Sequence, residues 1–219
     1  MAATIGYDTV MKMILSAVEQ IRQNHQMLSQ LDSATGDGDH GTTMVRTMTA
    51  VENVIQQAGK KDLRAVLGDI AWAVMGSDGG STSPLLGAFF QGMSDAVAGK
   101  AELTCADMVA MFDSAVNQMH ATSRANVGDK TMMDALLPAR DAMKQAALGA
   151  VPKGAGDDFG AVLGAAALAS LQGAAGTRDL VARVGRARNL GERSRGTLDP
   201  GAMSISLIFK GFLEGYQNQ

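Results

Sequence analysis

Apolar residues recur at helical spacing along almost the whole 219-residue chain, and no stretch sustains a period-two alternation. Each segment therefore carries one apolar stripe, and the pattern predicts an all-α protein with no sheet. Val10, Ile14, Val18, Ile21 and Leu28 share one face of a first helix, and Met44, Met48, Val51 and Ile55 share one face of a second. Further helices are predicted over Leu63 to Met75, Thr82 to Ala98, Ala106 to His120, Thr131 to Leu148, Asp158 to Val184 and Ala202 to Tyr216, giving eight in all. Composition agrees: aromatic residues are 4% of the chain, against 26 Gly and 15 Met, so strand-favouring types are scarce. Thr104 with Asp107 has the spacing of a capping box, Asp157 and Asp158 precede another helix, and Gly59, Gly99 and Gly149 mark helix ends.

Eight helices with mostly short connections suit an antiparallel, up-and-down bundle or barrel, and 46% hydrophobic residues supply its core. The stretch Gly149 to Gly156 resembles a linker, but the roughly seventy residues beyond it would make a poor independent core, so residues 1–219 read as one domain. A net charge of -3 and a pI near 5.6 give no global attraction to nucleic acid or to an anionic membrane. The single cysteine, Cys105, excludes an internal disulfide and reads as a small core residue. Met1 to Val10 lacks the basic start and apolar run of a signal peptide. The long uncharged stretch Gly160 to Ala175 is rich in Ala and Gly and reads as a closely packed helix. A soluble, cytoplasmic protein with neither nucleic acid nor membrane as partner is expected.

Four polar, glycine-rich segments interrupt the helices: Leu31 to Thr43, Gly76 to Pro84, Asn126 to Met132 and Gly185 to Gly201. Each is separated from the next by two predicted helices. In an up-and-down arrangement they therefore reach the same end, and the chemistry gathers on one rim.

The first segment holds three carboxylates, Asp32, Asp37 and Asp39, separated by glycines that allow a tight fold. Oxygen-only ligands suit Mg²⁺, which keeps waters and binds through a few carboxylates together with substrate phosphates. The same residues also suit a solvated turn with helix-capping aspartates. Gly36, Gly38 and Gly41 match G-x-G-x-x-G, but they follow a helix and lack the βαβ unit that gives that pattern its meaning. Asp37-x-Asp39 fails as a calcium loop, since Thr42 stands at the glycine position and Met48 at the terminal glutamate.

The second segment runs from Gly79-Gly80-Ser81-Thr82-Ser83-Pro84 into a helix, where amides and hydroxyls can cradle phosphate oxygens or Ser81 or Thr82 can simply cap. No P-loop pattern is present. In Gly128-Asp129-Lys130-Thr131, Lys130 can meet a phosphate or be solvated, and Thr131 can cap. Arg183, Arg186, Arg188, Arg193 and Arg195 form a basic stretch suited to a nucleotide or to an acidic protein surface. His25 and His120 lie within helices, whereas His40 sits in the acidic loop, where a neutral imidazole can ligate a metal or bond a nucleotide.

Taken together, Gly36-Asp-Gly-Asp-His-Gly41, Gly79-Gly-Ser-Thr-Ser-Pro84, Gly128-Asp-Lys-Thr-Met132, Gly191-Glu-Arg-Ser194 and Asp199-Pro-Gly201 resemble, in order and spacing, the nucleotide-binding L subunit of bacterial dihydroxyacetone kinase. The resemblance covers nearly the whole chain and implies an eight-helix antiparallel barrel with ADP or ATP and two Mg²⁺ ions at one rim. It further implies Asp32, Asp37 and Asp39 as metal ligands and a nucleotide pocket of His40, Gly41, Thr42, Thr43, Ser81, Thr82, Gly128, Arg186, Asp199, Pro200 and Gly201. Thr43 stands where an asparagine is expected in some relatives, and its hydroxyl can substitute. The implied activity is phosphoryl transfer to dihydroxyacetone held on a separate K subunit, with ADP rephosphorylated by a phosphohistidine M-type protein of the phosphotransferase system or ATP exchanging as substrate. No protein nucleophile is required, and assembly as a homodimer is left open. A Mg²⁺-dependent helical hydrolase and a nucleotide-dependent interaction module, with the arginine-rich loop docking a regulator, are the competing functions.

Overall fold

The computed structural model describes residues 3–59, 62–149 and 158–218. Among the described residues, eight α-helices run in chain order as α1 (Tyr7–Ser33), α2 (His40–Gln57), α3 (Leu63–Met75), α4 (Thr82–Ala96), α5 (Cys105–Ser123), α6 (Met133–Ala147), α7 (Phe159–Gly176) and α8 (Pro200–Gln217). Each helix packs on the next, and α8 packs back on α1, so the ring closes. The protein is all-α, an eight-helix barrel.

The barrel interior is filled. Phe89 and Phe90 of α4, Phe112 of α5, and Phe209 and Phe212 of α8 stack through its centre, with ring centroids 5.3 Å apart for Phe112 and Phe212 and 5.8 Å for Phe112 and Phe209. A void of about 10 Å³ remains among them, lined also by Ile14, Met48 and Leu136. That is near the size of one water, in walls with no polar atom to hold it. Small residues set the helix spacing: a Cβ at Gly211 would lie 2.3 Å from the Ala17 Cα, and one at Gly92 would lie 2.6 Å from the Ala115 Cα. The α1–α8 and α4–α5 pairs thus approach backbone to backbone.

Several boundaries differ from those the sequence pattern predicts. The first two helices are longer at the rim, with α1 running on to Ser33 and α2 beginning at His40. α7 stops at Gly176 rather than Val184, because Thr177 turns its hydroxyl onto the Ala174 carbonyl (2.6 Å) and Leu180 is extended. Short 3₁₀ segments at Thr177–Asp179 and Arg186–Ser194 carry the chain to α8. The expectation of no sheet is corrected by a two-residue antiparallel pair, β1 (Ile5–Gly6) with β2 (Glu102–Leu103), too short to leave an alternating pattern. It fastens the start of α1 to the start of α5, where Thr104 and Asp107 form the expected capping box. Asp158 caps α7 through the Ala161 amide at 3.1 Å, whereas Asp157 and most of the Gly149 to Gly156 loop lie outside the described residues. α7 is long and apolar enough to cross a membrane by length and composition; here it packs between α6 and α8.

Candidate functional site

In an up-and-down ring, every even-numbered helix starts at the same end. The starts of α2, α4, α6 and α8 (His40, Thr82, Met132 just before α6, and Pro200) all line one cleft of about 800 Å³. The positive ends of four helix dipoles therefore face this space, which favours an anion. All four glycine-rich segments contribute to its wall, as their even spacing along the chain predicts.

The carboxylates of Asp32, Asp37 and Asp39 stand at this cleft with ligand oxygens within 4.8 Å of one another. Asp32, in the last turn of α1, accepts the backbone N–H groups of Gly38 (3.0 Å) and His40 (3.2 Å) through Oδ2. It thereby folds the loop back so that Asp37 and Asp39 come beside it. Asp39 occupies the N-cap position of α2 without making a side-chain cap bond, so the capping alternative fails for this residue. Three converging carboxylates with no nitrogen or sulfur donor match a hard divalent cation such as Mg²⁺. Arg186 pairs with Asp37.

His40 faces the cleft from the first turn of α2, and its Nε2 lies 2.8 Å from Ser204 Oγ of α8. Burial holds its pKa below the ordinary value, against the opposing pull of Asp32, so the imidazole is neutral at pH 7. Asp199 caps α8 through the Ala202 amide (2.7 Å), and burial pushes its carboxyl up to about 7, reinforced by Asp134 and opposed by Lys130. Thr42, Thr43, Ser81, Thr82, Arg186, Pro200 and Gly201 also line the cleft.

Gly41 and Gly128 stand apart from the other expected pocket residues. Gly41 is buried where α2 crosses α1; a Cβ there would lie 1.9 Å from the His25 carbonyl oxygen, so its task is to let the two helices meet. Gly128 adopts φ 97° and gives its amide to Asp134 (2.6 Å), shaping the loop behind the wall. Lys130 lies in the cleft wall but is 2% exposed and commits its ammonium to backbone carbonyls, so it is not a solvated lysine.

Sequence reasoning missed the polar lining residues Arg46, Asp78, Thr122 and Ser123. Arg46 is legible in hindsight: with Asp39, Thr42 and Thr43 it falls at i, i+3, i+4 and i+7 on one face of α2. It reaches across the mouth to Asp78 (3.3 Å).

The DAK2 domain profile matches residues 34–214, most of the chain, with three of the rim segments whole and the first from Ala34 onward. The chain belongs to the DAK2 domain family. It is 32% identical over 211 residues to the ADP-binding subunit of a PEP-dependent dihydroxyacetone kinase of Listeria innocua, covering 96% of this chain and 98% of that one. The corresponding Escherichia coli subunit is 32% identical over 187 residues, covering 84% and 85%. Within the DAK2 family the chain is thus of the nucleotide-binding L-subunit type. The dihydroxyacetone kinase of C. freundii, solved in complex with AMP-PNP and Mg²⁺, superposes with a TM-score of 0.69 at 25% identity. There the match covers 94% of this DAK2 chain but 33% of the larger one.

Proposed function

We propose that this DAK2 protein is the nucleotide subunit of a dihydroxyacetone kinase, working as one L-type domain in the cytoplasm. In this reading ADP is retained in the rim cleft with two Mg²⁺ ions and is rephosphorylated by a phosphohistidine M-type protein of the phosphotransferase system. The terminal phosphoryl group then passes to dihydroxyacetone carried on a separate K subunit. The observation that carries the reading is the convergence of Asp32, Asp37 and Asp39 at a cleft into which four helices start. Support for the donor comes from the relatives matched over nearly their full length, which are named PEP- or PTS-dependent and ADP-binding. Support for a separate acceptor subunit comes from the C. freundii kinase, of which this chain accounts for about a third.

Bound Mg²⁺ supplies charge neutralisation and fixed geometry to the phosphate oxygens, which is most of what phosphoryl transfer demands. The three aspartates would hold the ions. The helix starts and the hydroxyls of Thr42, Thr43, Ser81 and Thr82 orient the phosphates, and Arg186 exchanges its hold on Asp37 for contact with the nucleotide. Neutral His40 offers a hydrogen bond without adding charge beside the ions. ADP released from the purified protein on denaturation, and phosphate passed to it from a phosphohistidine donor, test the reading. Nucleotide-free protein that accepts no phosphate would refute it.

A further inference from the structure

The DAK2 chain buries a lysine in the wall of its cleft. Lys130 is 2% exposed and lies in left-handed backbone at φ 61°, a conformation that a lysine adopts only against a steric cost. Its Nζ donates to the carbonyl oxygens of Thr177 and Thr197, each at 2.5 Å, joining segments 47 and 67 residues away along the chain. Burial draws its pKa down, and the carboxylates of Asp199, Asp134 and Asp179 draw it back up. An ammonium committed in this way has exchanged its water for backbone carbonyls, which makes each of those bonds charge-assisted.

The joined segments are those that shape one part of the cleft. Thr177 Oγ1 accepts the Asp199 amide (2.9 Å), so the Asp199 to Gly201 turn hangs from the same residue that Lys130 grips. Gly196 N–H donates to Arg178 (2.8 Å) and Arg183 N–H to Asp129 (3.1 Å), tying the chain on both sides of Arg186 to the same knot. Asp134 closes it by accepting the amides of Gly128 (2.6 Å) and Thr131 (2.7 Å). The helices themselves do not depend on this knot, since α6, α7 and α8 already pack on one another through the core. What it fixes is loop backbone that lines the cleft.

We propose that Lys130 is a positioning residue for the nucleotide: its buried ammonium clamps the loop before α6 to the end of α7 and to the turn before α8, holding the side of the cleft away from Asp32, Asp37 and Asp39 in shape to receive a nucleoside diphosphate. This inference rests on the nucleotide-binding reading given above. It is tested by titrating ADP, in the presence of Mg²⁺, into the wild-type chain and K130M well below their melting temperatures, and by titrating Mn²⁺ alone into both. The clamp predicts that K130M binds ADP about tenfold or more weakly, through lost preorganisation, while Mn²⁺ affinity stays within about twofold because the aspartate loop is held separately. Equal ADP affinity overturns the clamp even if K130M melts earlier, and so does parallel loss of ADP and Mn²⁺ affinity. Should K130M fail to fold, K130Q, which keeps a polar end but loses the charge and the reach to both carbonyls, is expected to weaken ADP about threefold or more, and unchanged affinity overturns the clamp. Failure of the wild-type chain to bind ADP overturns the nucleotide reading itself, and the clamp with it.

Discussion

Replacing Gly41 with alanine tests how the barrel builds its metal loop. The added Cβ would stand 1.9 Å from the His25 carbonyl oxygen, 2.6 Å from Ser29 Oγ and 2.8 Å from the His25 carbonyl carbon. The first of these is about 1.5 Å inside ordinary van der Waals contact, and it is made with backbone that cannot rotate away. Overpacking of a core costs about 1–3 kcal/mol, and a rigid neighbour places this case near the upper end. For a chain of this size that lowers Tm by roughly 6–12 °C. The separation also occurs two residues from Asp39 and one from His40, whose amide reaches Asp32 at 3.2 Å, so the carboxylates are pulled apart. Gly211→Ala is the matched control, since its Cβ would meet the Ala17 Cα at 2.3 Å, roughly 22 Å along α1 from Asp32 at 1.5 Å per residue. Thermal unfolding should show comparable destabilisation of the two variants, while Mn²⁺ titration shows weakened binding for Gly41→Ala alone. A Gly41→Ala protein that melts within about 2 °C of wild type and binds Mn²⁺ unchanged would refute the reasoning.

Other perturbations have equally definite outcomes. Thr104→Ala breaks the capping box of α5 and should cost about 1 kcal/mol in chemical denaturation. Asp107, bonded to Lys100 and Thr104, has its carboxyl held down at about 2, so the stability it contributes is complete above its ordinary value near 4 and fades as the pH falls through about 2; Asp107→Asn should flatten that acid limb. Asp199 has the opposite sign. Its pKa is raised to about 7, so between about pH 4 and 7 the folded chain keeps a proton that the unfolded chain has lost, and its contribution declines as pH rises through that window. Asp199→Asn, which retains a cap oxygen, should lack this decline, so that the stability difference between wild type and variant falls as pH rises through that window. Phe112→Ala removes the ring shared by α4, α5 and α8 and should cost about 3–5 kcal/mol, seen as a Tm loss on the order of 10 °C.

The helices were legible because each buries one stripe, and stripes survive in sequence as spacing. The convergence of the rim was legible for a topological reason: loops two helices apart return to the same end of an up-and-down ring. What escaped depends on contacts between distant residues. Gly41 sits in a loop motif and looks like a phosphate glycine, yet its role is set by the His25 carbonyl of another helix. Lys130 looks solvated beside a helix start, and only Thr177 and Thr197 reveal it as buried. The early end of α7 goes with that same knot: the Thr177 carbonyl accepts from Lys130, and the chain turns extended at Leu180 rather than running on to Val184. The two-residue strands carry too few side chains to write a period.

The central claim is that a nucleotide enters this DAK2 cleft through cations held by Asp32, Asp37 and Asp39. It is tested most directly by calorimetric titration of ADP into nucleotide-stripped protein, with Mg²⁺ and again with a chelator. The account predicts one ADP per chain with Mg²⁺ and affinity about a hundredfold or more weaker without it, since the aspartates then face the phosphates unshielded. Equal affinity under both conditions would contradict it.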